Sequence, residues 1–450
     1  MELNIMADRI IRVLHLTIPA MISSAFGVIA FLFCTRVLGH YDKDNYYLLA
    51  AFMPVNYMLF AIYEAIRASA LFLSSRQREH KHELAINILS LTFSALSIFI
   101  IFLIAFFCVS EWIGNVIGVY PTKKHDFTNF SCLMIISGTV TSLFYVFSST
   151  FFAIKKPIIG MTVSLIASVL TCLCTFLFSE LSTLSWHGYI FSTIISYLIA
   201  ISLSLILLSF EGISVISCLP NNFAKIMQRQ RSIIKIGSPV LLTYLLIFSS
   251  LFFINAALSY FDESILTGFS VAYRIQNIAI LPAITLGTAI AILVNQARVE
   301  NNFKEEYLIK VIGFVTCFLL YFIIAIAIYY YSYSLLALIV SEQSSIKAGL
   351  SYFNYVSLTY IALGPNLAYL TYLEQSGAGI KSLVINLYYF VIAVGVGCVG
   401  AVHYHQYIYL YKVIALINII FFIYLLFSLG FKSRPRFFKK YTNRKDVRYV

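Results

Sequence analysis

The stretch "YRIQNIAILPAITLGTAIAILVNQ", residues 273–296, decides the fold class of this 450-residue chain. It is apolar and long enough to cross the roughly 30 Å of hydrocarbon in a bilayer as a helix. It also contains Arg274, Pro282 and Gly287. An ionisable residue inside a membrane helix indicates a functional contact, and proline with glycine predicts a kink.

Similar apolar runs recur along the whole chain, which is 60% hydrophobic and only 11% charged. A soluble domain of this size needs a more polar surface, and a membrane β-barrel would show short alternating segments. We therefore predict an all-α polytopic membrane protein with twelve transmembrane helices. The predicted spans are 12–38, 46–73, 84–109, 127–154, 158–178, 188–210, 233–261, 265–296, 307–332, 350–374, 383–402 and 407–431.

The positive charges predict the orientation of the chain. Most of the 31 Lys and Arg residues fall in loops on the side of the N-terminus or in the C-terminal tail. The positive-inside rule then places both termini in the cytoplasm of a multi-pass plasma membrane protein, such as one of the bacterial inner membrane. The net charge of +12 reflects this topology and contact with anionic lipid. Because the charges are dispersed, we expect no nucleic-acid partner.

Cysteine and histidine do not predict a metal site. The eight cysteines are scattered, mostly inside spans and without a CxxC motif, so they are interpreted as small packing residues. His403 and His405 alone make a poor ligand set. The chain also contains no nucleophile or phosphate-loop motif. We therefore expect no catalytic residue, no metal, no cofactor and no enzymatic activity.

The two halves of the chain repeat each other. "LHLTIPAM" opens the first span and "IKIGSPVL" opens the seventh, so that Pro19 corresponds to Pro239. Arg76 and Arg298 end the second and eighth spans at nearly the same offset. This predicts two parallel six-helix repeats, an architecture of secondary transporters. The predicted domains are an N-terminal six-helix bundle (1–210), a cytoplasmic linker (211–232), a C-terminal six-helix bundle (233–431) and a basic cytoplasmic tail (432–450).

These pieces together resemble one family. "LTIPAM" and "RVLG" in the first span, "AYRIQNI" and the "VNQ" ending of the eighth, and "YLEQSGAGIK" after the tenth are similar to the multidrug and toxic compound extrusion (MATE) transporters, within the wider multidrug, oligosaccharidyl-lipid and polysaccharide flippase superfamily. The resemblance implies a V-shaped MATE-like fold with a central cavity. It also implies export of small organic, drug-like or metabolite molecules by alternating access, driven by a H⁺ or Na⁺ gradient. We expect a monomer.

The chain departs from this family at the usual coupling carboxylates. Many bacterial members carry an Asp in the first span, where this chain has Cys34, and others carry a Glu in the middle of the seventh span, where none is found. In the tenth span the acid is Glu374, near the end of the span. We interpret Glu374 as part of a surface pair with Lys381.

Glu64 and Arg67 are the candidate coupling residues. They stand three residues apart in the second span and therefore on one helix face. Burial favours the neutral form of a carboxyl group, whereas a neighbouring arginine favours the carboxylate. If transport is proton coupled, Glu64 is the predicted proton carrier. The alternative is a static ion pair that packs the N-terminal bundle.

The eighth span supplies the next candidates. Arg274, Gln276 and Asn277 predict a polar face near the outer mouth of the cavity, where the arginine can pair with an anionic substrate group or an acid. Alternatively, Arg274 reaches the outer headgroups. Pro282 and Gly287 predict a kink that bends during gating, although both residue types are frequent in membrane helices.

Three further polar residues complete the candidate set. Arg36 lies near the outer end of the first span, where it either reaches the headgroups or faces the cavity. Asn56 and Asn255 are candidates for substrate contact or for hydrogen bonds between helices.

The alternative function is a flippase for a lipid-linked oligosaccharide or another anionic lipid-like substrate. Lipid II flippases resemble the chain at "RVLG", at Pro54 and at "AYRI". Arg36, Arg67 and Arg274, together with the missing coupling acids, favour this interpretation. Those flippases usually have fourteen spans and a longer chain, which favours the exporter.

Overall fold

The computed structural model describes residues 2–41, 43–181, 185–218 and 222–431. These residues form helices joined by short turns, and no strand occurs among them. The predicted all-α class is therefore confirmed. The tail 432–450 and residues 219–221 of the predicted linker lie outside the described residues.

Seven long helices occupy the first part of the chain: α1 (Glu2–Tyr41), α2 (Lys43–Arg76), α3 (Lys81–Ile117), α4 (Lys124–Ala153), α5 (Pro157–Leu181), α6 (Ser185–Phe210) and α7 (Phe223–Leu258). Gly118 follows α3 with a φ of 81°, a left-handed conformation that glycine adopts readily. Pro157 opens α5, a position where its missing N–H leaves no helical bond unmade. Since α7 begins at Phe223, the basic residues before the predicted seventh span are helical.

The second part of the chain has shorter and less regular helices: α8 (Glu263–Ala279), α9 (Leu281–Val299), α10 (Phe303–Ala337), α11 (Gln343–Val356), α12 (Tyr360–Gln375), α13 (Gly379–Phe390), α14 (Val399–His403) and α15 (Tyr407–Phe431). A π-helical stretch, Val391–Cys398, joins α13 to α14 and makes them one continuous crossing. Helices α8 and α9 together form the predicted eighth span and are separated at Ile280.

Eleven helical segments among the described residues are long and apolar enough to cross a membrane. The predicted tenth span is interrupted, because α11 and α12 hold 14 and 16 residues on either side of a 3₁₀ turn, Ser357–Thr359. The hydroxyl groups of Ser357 and Thr359 donate to the carbonyls of Phe353 and Val356 and so satisfy backbone acceptors at the turn. Neither half spans a bilayer alone, so the two together take the place of the tenth span.

The chain divides into two compact units. The first unit is Ile18–Leu241, and the second unit comprises the described residues up to Thr17 and from Leu242 onward. In the first unit, α4 packs against α2, α3, α5 and α6. In the second unit, α12 packs against α9, α10, α13 and α15, while α8 packs against α11. The division into bundles 1–210 and 233–431 stays a prediction.

Glycine allows two pairs of helices in the second unit to touch through their backbones. A Cβ added at Gly268 of α8 would lie 2.5 Å from the Ser345 carbonyl oxygen and 2.6 Å from the Gly349 nitrogen of α11. A Cβ added at Gly287 of α9 would lie 2.5 Å from the Ala368 carbonyl oxygen of α12. Any side chain at these two positions would force the helices apart.

The ends of several helices of the second unit meet at one face. Arg9 near the start of α1 bonds Glu305 at the start of α10, with an Nη2–Oε2 distance of 2.7 Å. Arg298 at the end of α9 donates to the Ser376 carbonyl, just beyond α12, at 3.2 Å. Because α9 and α10 are joined by a short turn, these contacts place the start of α1, the end of α9 and the end of α12 together.

Candidate functional site

Glu64 and Arg67 form an ion pair at the middle of α2. The Arg67 Nη1 atom lies 2.9 Å from one carboxylate oxygen of Glu64 and 3.1 Å from the other. Both side chains are mostly buried, with 21% of Glu64 and 19% of Arg67 exposed. Glu64 stands at the centre of the apolar segment Ala51–Arg76, so the pair lies at membrane depth. The predicted contact is present, whereas its role in coupling stays a prediction.

An aromatic wall lies beside this pair in the first unit. Tyr63 stacks on Phe99 with ring centroids 5.7 Å apart and lies 5.8 Å from the ring of Tyr145. Tyr145 is close enough to interact electrostatically with both Glu64 and Arg67. A proton or a polar group near Glu64 would therefore meet phenol hydroxyls rather than hydrocarbon alone.

The position of the missing coupling acid holds a neutral group. Cys34 is 1% exposed in α1, and its Sγ atom lies 3.5 Å from the Thr175 hydroxyl of α5. Cys172 stands one turn before Thr175 on α5. Where the family resemblance leads us to expect a carboxylate, this chain therefore holds a thiol paired with a hydroxyl.

The three predicted polar residues of α8 divide between two faces. Arg274 and Asn277 are exposed, and since they stand three residues apart they share one face of the helix. Gln276 points elsewhere, because its Oε1 atom accepts hydrogen bonds from the Tyr352 hydroxyl at 2.6 Å and from the Tyr360 hydroxyl at 3.0 Å. Gln276 therefore links α8 to the interrupted tenth span, and it does not share the exposed face of Arg274.

The predicted kink is present, and a tyrosine fills it. The helix breaks at Ile280, just before Pro282. The Tyr321 hydroxyl of α10 donates to the Ala279 carbonyl at 2.7 Å and accepts from the Ala283 N–H at 3.1 Å. In a regular helix those two backbone groups bond each other. A side chain inserted between them is a recognised cause of a kink.

Gly287 and Gly364 have packing roles around this kink. Helix α9 runs through Gly287 without a break, and this glycine sits where α9 touches α12. Gly364 of α12 faces the Tyr321 ring so closely that an added Cβ would overlap the ring. Tyr321 itself is fully buried. A gating role for Pro282 and Gly287 stays a prediction.

The remaining candidates lie in different surroundings. Arg36 is exposed near the end of α1, and Asn56 is half-buried on α2. Asn255 is half-buried on α7, and its Oδ1 atom is shielded with no hydrogen-bond partner in the part of the chain that the structure describes.

The placement of Glu374 at the surface is wrong. The side chain is buried, with 5% exposed, and accepts a 2.8 Å hydrogen bond from the Ser382 hydroxyl. Ser382 is fully buried because α13 folds back against the end of α12. Asn386, one turn later, donates to the Ser382 carbonyl at 3.0 Å. Ser382 and Asn386 stand four residues apart and therefore on one helix face, and this pattern in the sequence indicates a polar contact with a neighbouring helix.

Charged networks that the sequence did not predict occupy the helix ends. Arg298 and Lys310 share the Glu306 carboxylate at 2.9 and 3.0 Å. The Tyr372 hydroxyl accepts a further bond from Arg298 at 2.9 Å. In the first unit, Arg229 of α7 bonds the Glu83 carboxylate of α3. Within the described ranges, no group of three or more His, Cys, Asp and Glu residues could hold a metal ion.

Eleven apolar helical segments among the described residues define a polytopic α-helical membrane protein, and part of its sequence matches a transporter family. Residues 239–399 match the MatE family. A probable multidrug resistance protein of Bacillus subtilis, YpnP, is 25% identical over 155 residues, which are 34% of this chain and 35% of that protein's length. The match therefore spans about a third of the curated relative.

Solved structures are similar over nearly the whole chain. A point mutant of the Vibrio cholerae MATE transporter VcmN has a TM-score of 0.87 at 15% identity, with 94% of this chain and 97% of that chain covered. A MOP superfamily transporter from Pyrococcus furiosus, described as having a binding pocket of reversed polarity, has a TM-score of 0.82 at 15% identity, with 94% and 96% covered. These similarities show the fold. Residues 239–399 thus match the MatE family by sequence, and nearly the whole chain shares the fold of solved MATE transporters.

Proposed function

We propose that this protein is a secondary active efflux transporter that exports small organic molecules by alternating access. The family match and the shared fold support a transporter of the MATE type. The name of the Bacillus subtilis relative supports drug-like substrates. The driving force is a gradient of H⁺ or Na⁺ across the membrane.

The observation that carries the coupling proposal is the Glu64–Arg67 pair. A carboxylate at the centre of a membrane span is costly and therefore indicates function. While the pair is intact its net charge is zero, and a proton bound by Glu64 would leave the Arg67 charge without its carboxylate partner. In a medium of low dielectric, such a change alters the free energy of any state that buries the pair. Proton binding at Glu64 thus has the means to bias one conformation.

The experiment is transport by the purified full-length protein in proteoliposomes. Flux of a panel of cationic, neutral and anionic compounds is measured under an imposed H⁺ or Na⁺ gradient. We expect Glu64→Gln to abolish gradient-driven flux, because glutamine cannot exchange a proton. The matched control is Glu111→Gln on α3, an exposed carboxylate of the same unit, which should keep wild-type flux. Wild-type flux in correctly inserted Glu64→Gln would refute the carrier role.

A flippase for an anionic lipid-like substrate is the second candidate. It is favoured by Arg36 and Arg274, which are both exposed and thus available to an external anion. In this case, flipping of a fluorescent lipid-linked sugar should fall when Arg274→Gln is introduced. Export of small molecules in the same vesicles should then be absent.

We also propose that the protein is a monomer in the plasma membrane, with both termini in the cytoplasm. The positive-inside bias supports this orientation. It is tested by labelling single cysteines placed after residue 1 and at residue 431 with a membrane-impermeant reagent. Both positions should react only after the membrane is permeabilised.

A further inference from the structure

Lys381, in the first turn of α13, has an unusual set of neighbours. Its Nζ atom bonds the Tyr369 hydroxyl of α12 at 2.5 Å and lies 3.4 Å from the Ser428 hydroxyl of α15. The two hydroxyls are themselves 2.8 Å apart. The Tyr424 ring completes the surroundings, with its centroid 5.6 Å from Nζ. We name Tyr369, Lys381, Tyr424 and Ser428 the Lys381 cluster.

The charge of this cluster is not balanced in the described chain. Lys310 and Arg298, at the same face, share the Glu306 carboxylate. Lys381, by contrast, makes no ion pair among the described residues, and the contacts above are to neutral groups. Hydroxyl groups and aromatic rings orient an ammonium group but do not neutralise it. The half-buried cation thus keeps its full charge for an external anion.

The position of the cluster indicates what that anion is. Lys381 opens α13, while Ser428 lies near the end of α15, so the cluster sits where both helices meet one edge of the membrane. The α15 face beside it is apolar, with Ile423 and Tyr424 exposed by 48% and 42%. An anion here therefore borders a surface that suits acyl chains.

The sequence after α15 is also rich in positive charge. It carries a run of basic residues: Lys432, Arg434, Arg436, Lys439, Lys440, Arg444, Lys445 and Arg448. Such clusters next to a membrane helix attract anionic headgroups, and basic pockets between membrane helices bind them. Charge complementarity thus favours an anionic lipid over a zwitterionic one at this edge.

We propose that the Lys381 cluster binds the phosphate group of an anionic phospholipid, with an acyl chain along the exposed face of α15. Lys381 supplies the charge, and the hydroxyls of Tyr369 and Ser428 hold its ammonium group in place. The Tyr424 ring faces the glycerol region, as aromatic residues do at membrane interfaces. This site is independent of the cargo and of the coupling ion.

The test uses the full-length protein in nanodiscs of phosphatidylcholine with increasing phosphatidylglycerol. Bound phosphatidylglycerol per protein is measured by native mass spectrometry after release. Loss of one lysine at a membrane surface should weaken binding of an anionic lipid about five-fold. We therefore expect Lys381→Gln to lower retention about five-fold and Lys381→Arg to restore most of it. If arginine restores retention, the loss in Lys381→Gln is due to the missing charge and not to a folding defect.

Lys412→Gln is the matched control. Lys412 lies 5.6 Å from the Tyr355 ring, a contact of the same kind, but near the start of α15 and hence at its opposite end. This variant should retain lipid at the edge of Lys381. Equal losses in Lys381→Gln and Lys412→Gln, or no loss in either, would overturn the proposal. Displacement of the lipid by excess inorganic phosphate would overturn the assignment to a lipid, since free phosphate would then be the ligand.

Discussion

Replacing Tyr321 with phenylalanine tests how the kink between α8 and α9 is held. The change removes one hydroxyl that serves the Ala279 carbonyl and the Ala283 N–H. A hydrogen bond contributes about 0.5–1.5 kcal/mol net, so two bonds are worth roughly 1–3 kcal/mol. For a folding unit of about 200 residues, each kcal/mol lowers the Tm by roughly 2–4 °C. We therefore expect the Tm to fall by about 2–12 °C.

The assay is thermal unfolding in detergent, followed with a dye that reacts with cysteines as they become exposed. Tyr330→Phe is the control, since Tyr330 lies on the same helix and is 75% exposed. A double-mutant cycle with Pro282→Ala sharpens the test. Without the proline the helix can become regular, so that the Ala283 N–H donates directly to the Ala279 carbonyl. The Tyr321 hydroxyl should then contribute little to stability. If Tyr321→Phe costs the same in both backgrounds, or no more than Tyr330→Phe, the hydroxyl does not hold the kink.

Two further substitutions probe packing and charge in the second unit. Gly268→Ala should lower the free energy of unfolding by about 1–3 kcal/mol through overpacking. The control Gly27→Ala, with nothing within 4 Å of its added Cβ, should be neutral or stabilising. Equal Tm values for the two variants would contradict the close contact of α8 and α11. Glu306→Gln should cost about 2 kcal/mol, because Arg298 and Lys310 lose charged hydrogen bonds to a shared partner that is 9% exposed. Glu79→Gln, with 75% of the side chain exposed, should change the Tm little, and the network is unimportant if the two variants behave alike.

The sequence predicted features that depend on neighbouring residues. The spacing of Glu64 and Arg67 fixes both on one helix face, and the structure contains the ion pair. Pro282 predicts a kink from its missing N–H alone, and the helix breaks at Ile280. The grouping of Gln276 with Arg274 was avoidable, since residues two apart point to different sides of a helix.

Features that join distant residues were not predictable in this way. Tyr321 reaches the kink from another helix, and nothing near Pro282 in the sequence indicates which side chain will fill it. The sequence places Glu374 at the end of a span, yet the fold-back of α13 buries it against Ser382. The Lys381 cluster likewise forms only when α12, α13 and α15 come together. Such contacts depend on tertiary packing, which periodicity does not encode.

The interrupted tenth span has a practical consequence for mapping topology. A count of uninterrupted long helices among the described residues gives eleven, an odd number that would put the two ends of the chain on opposite sides of the bilayer. The contacts of Arg9 with Glu305 and of Arg298 with Ser376 instead place the start of α1 beside the end of α12. The contact of Lys381 with Ser428 brings the end of α15 back to that same edge. Fluorescent or enzymatic reporters fused to the C-terminus should therefore be designed for twelve crossings, with α11 and α12 taken as one.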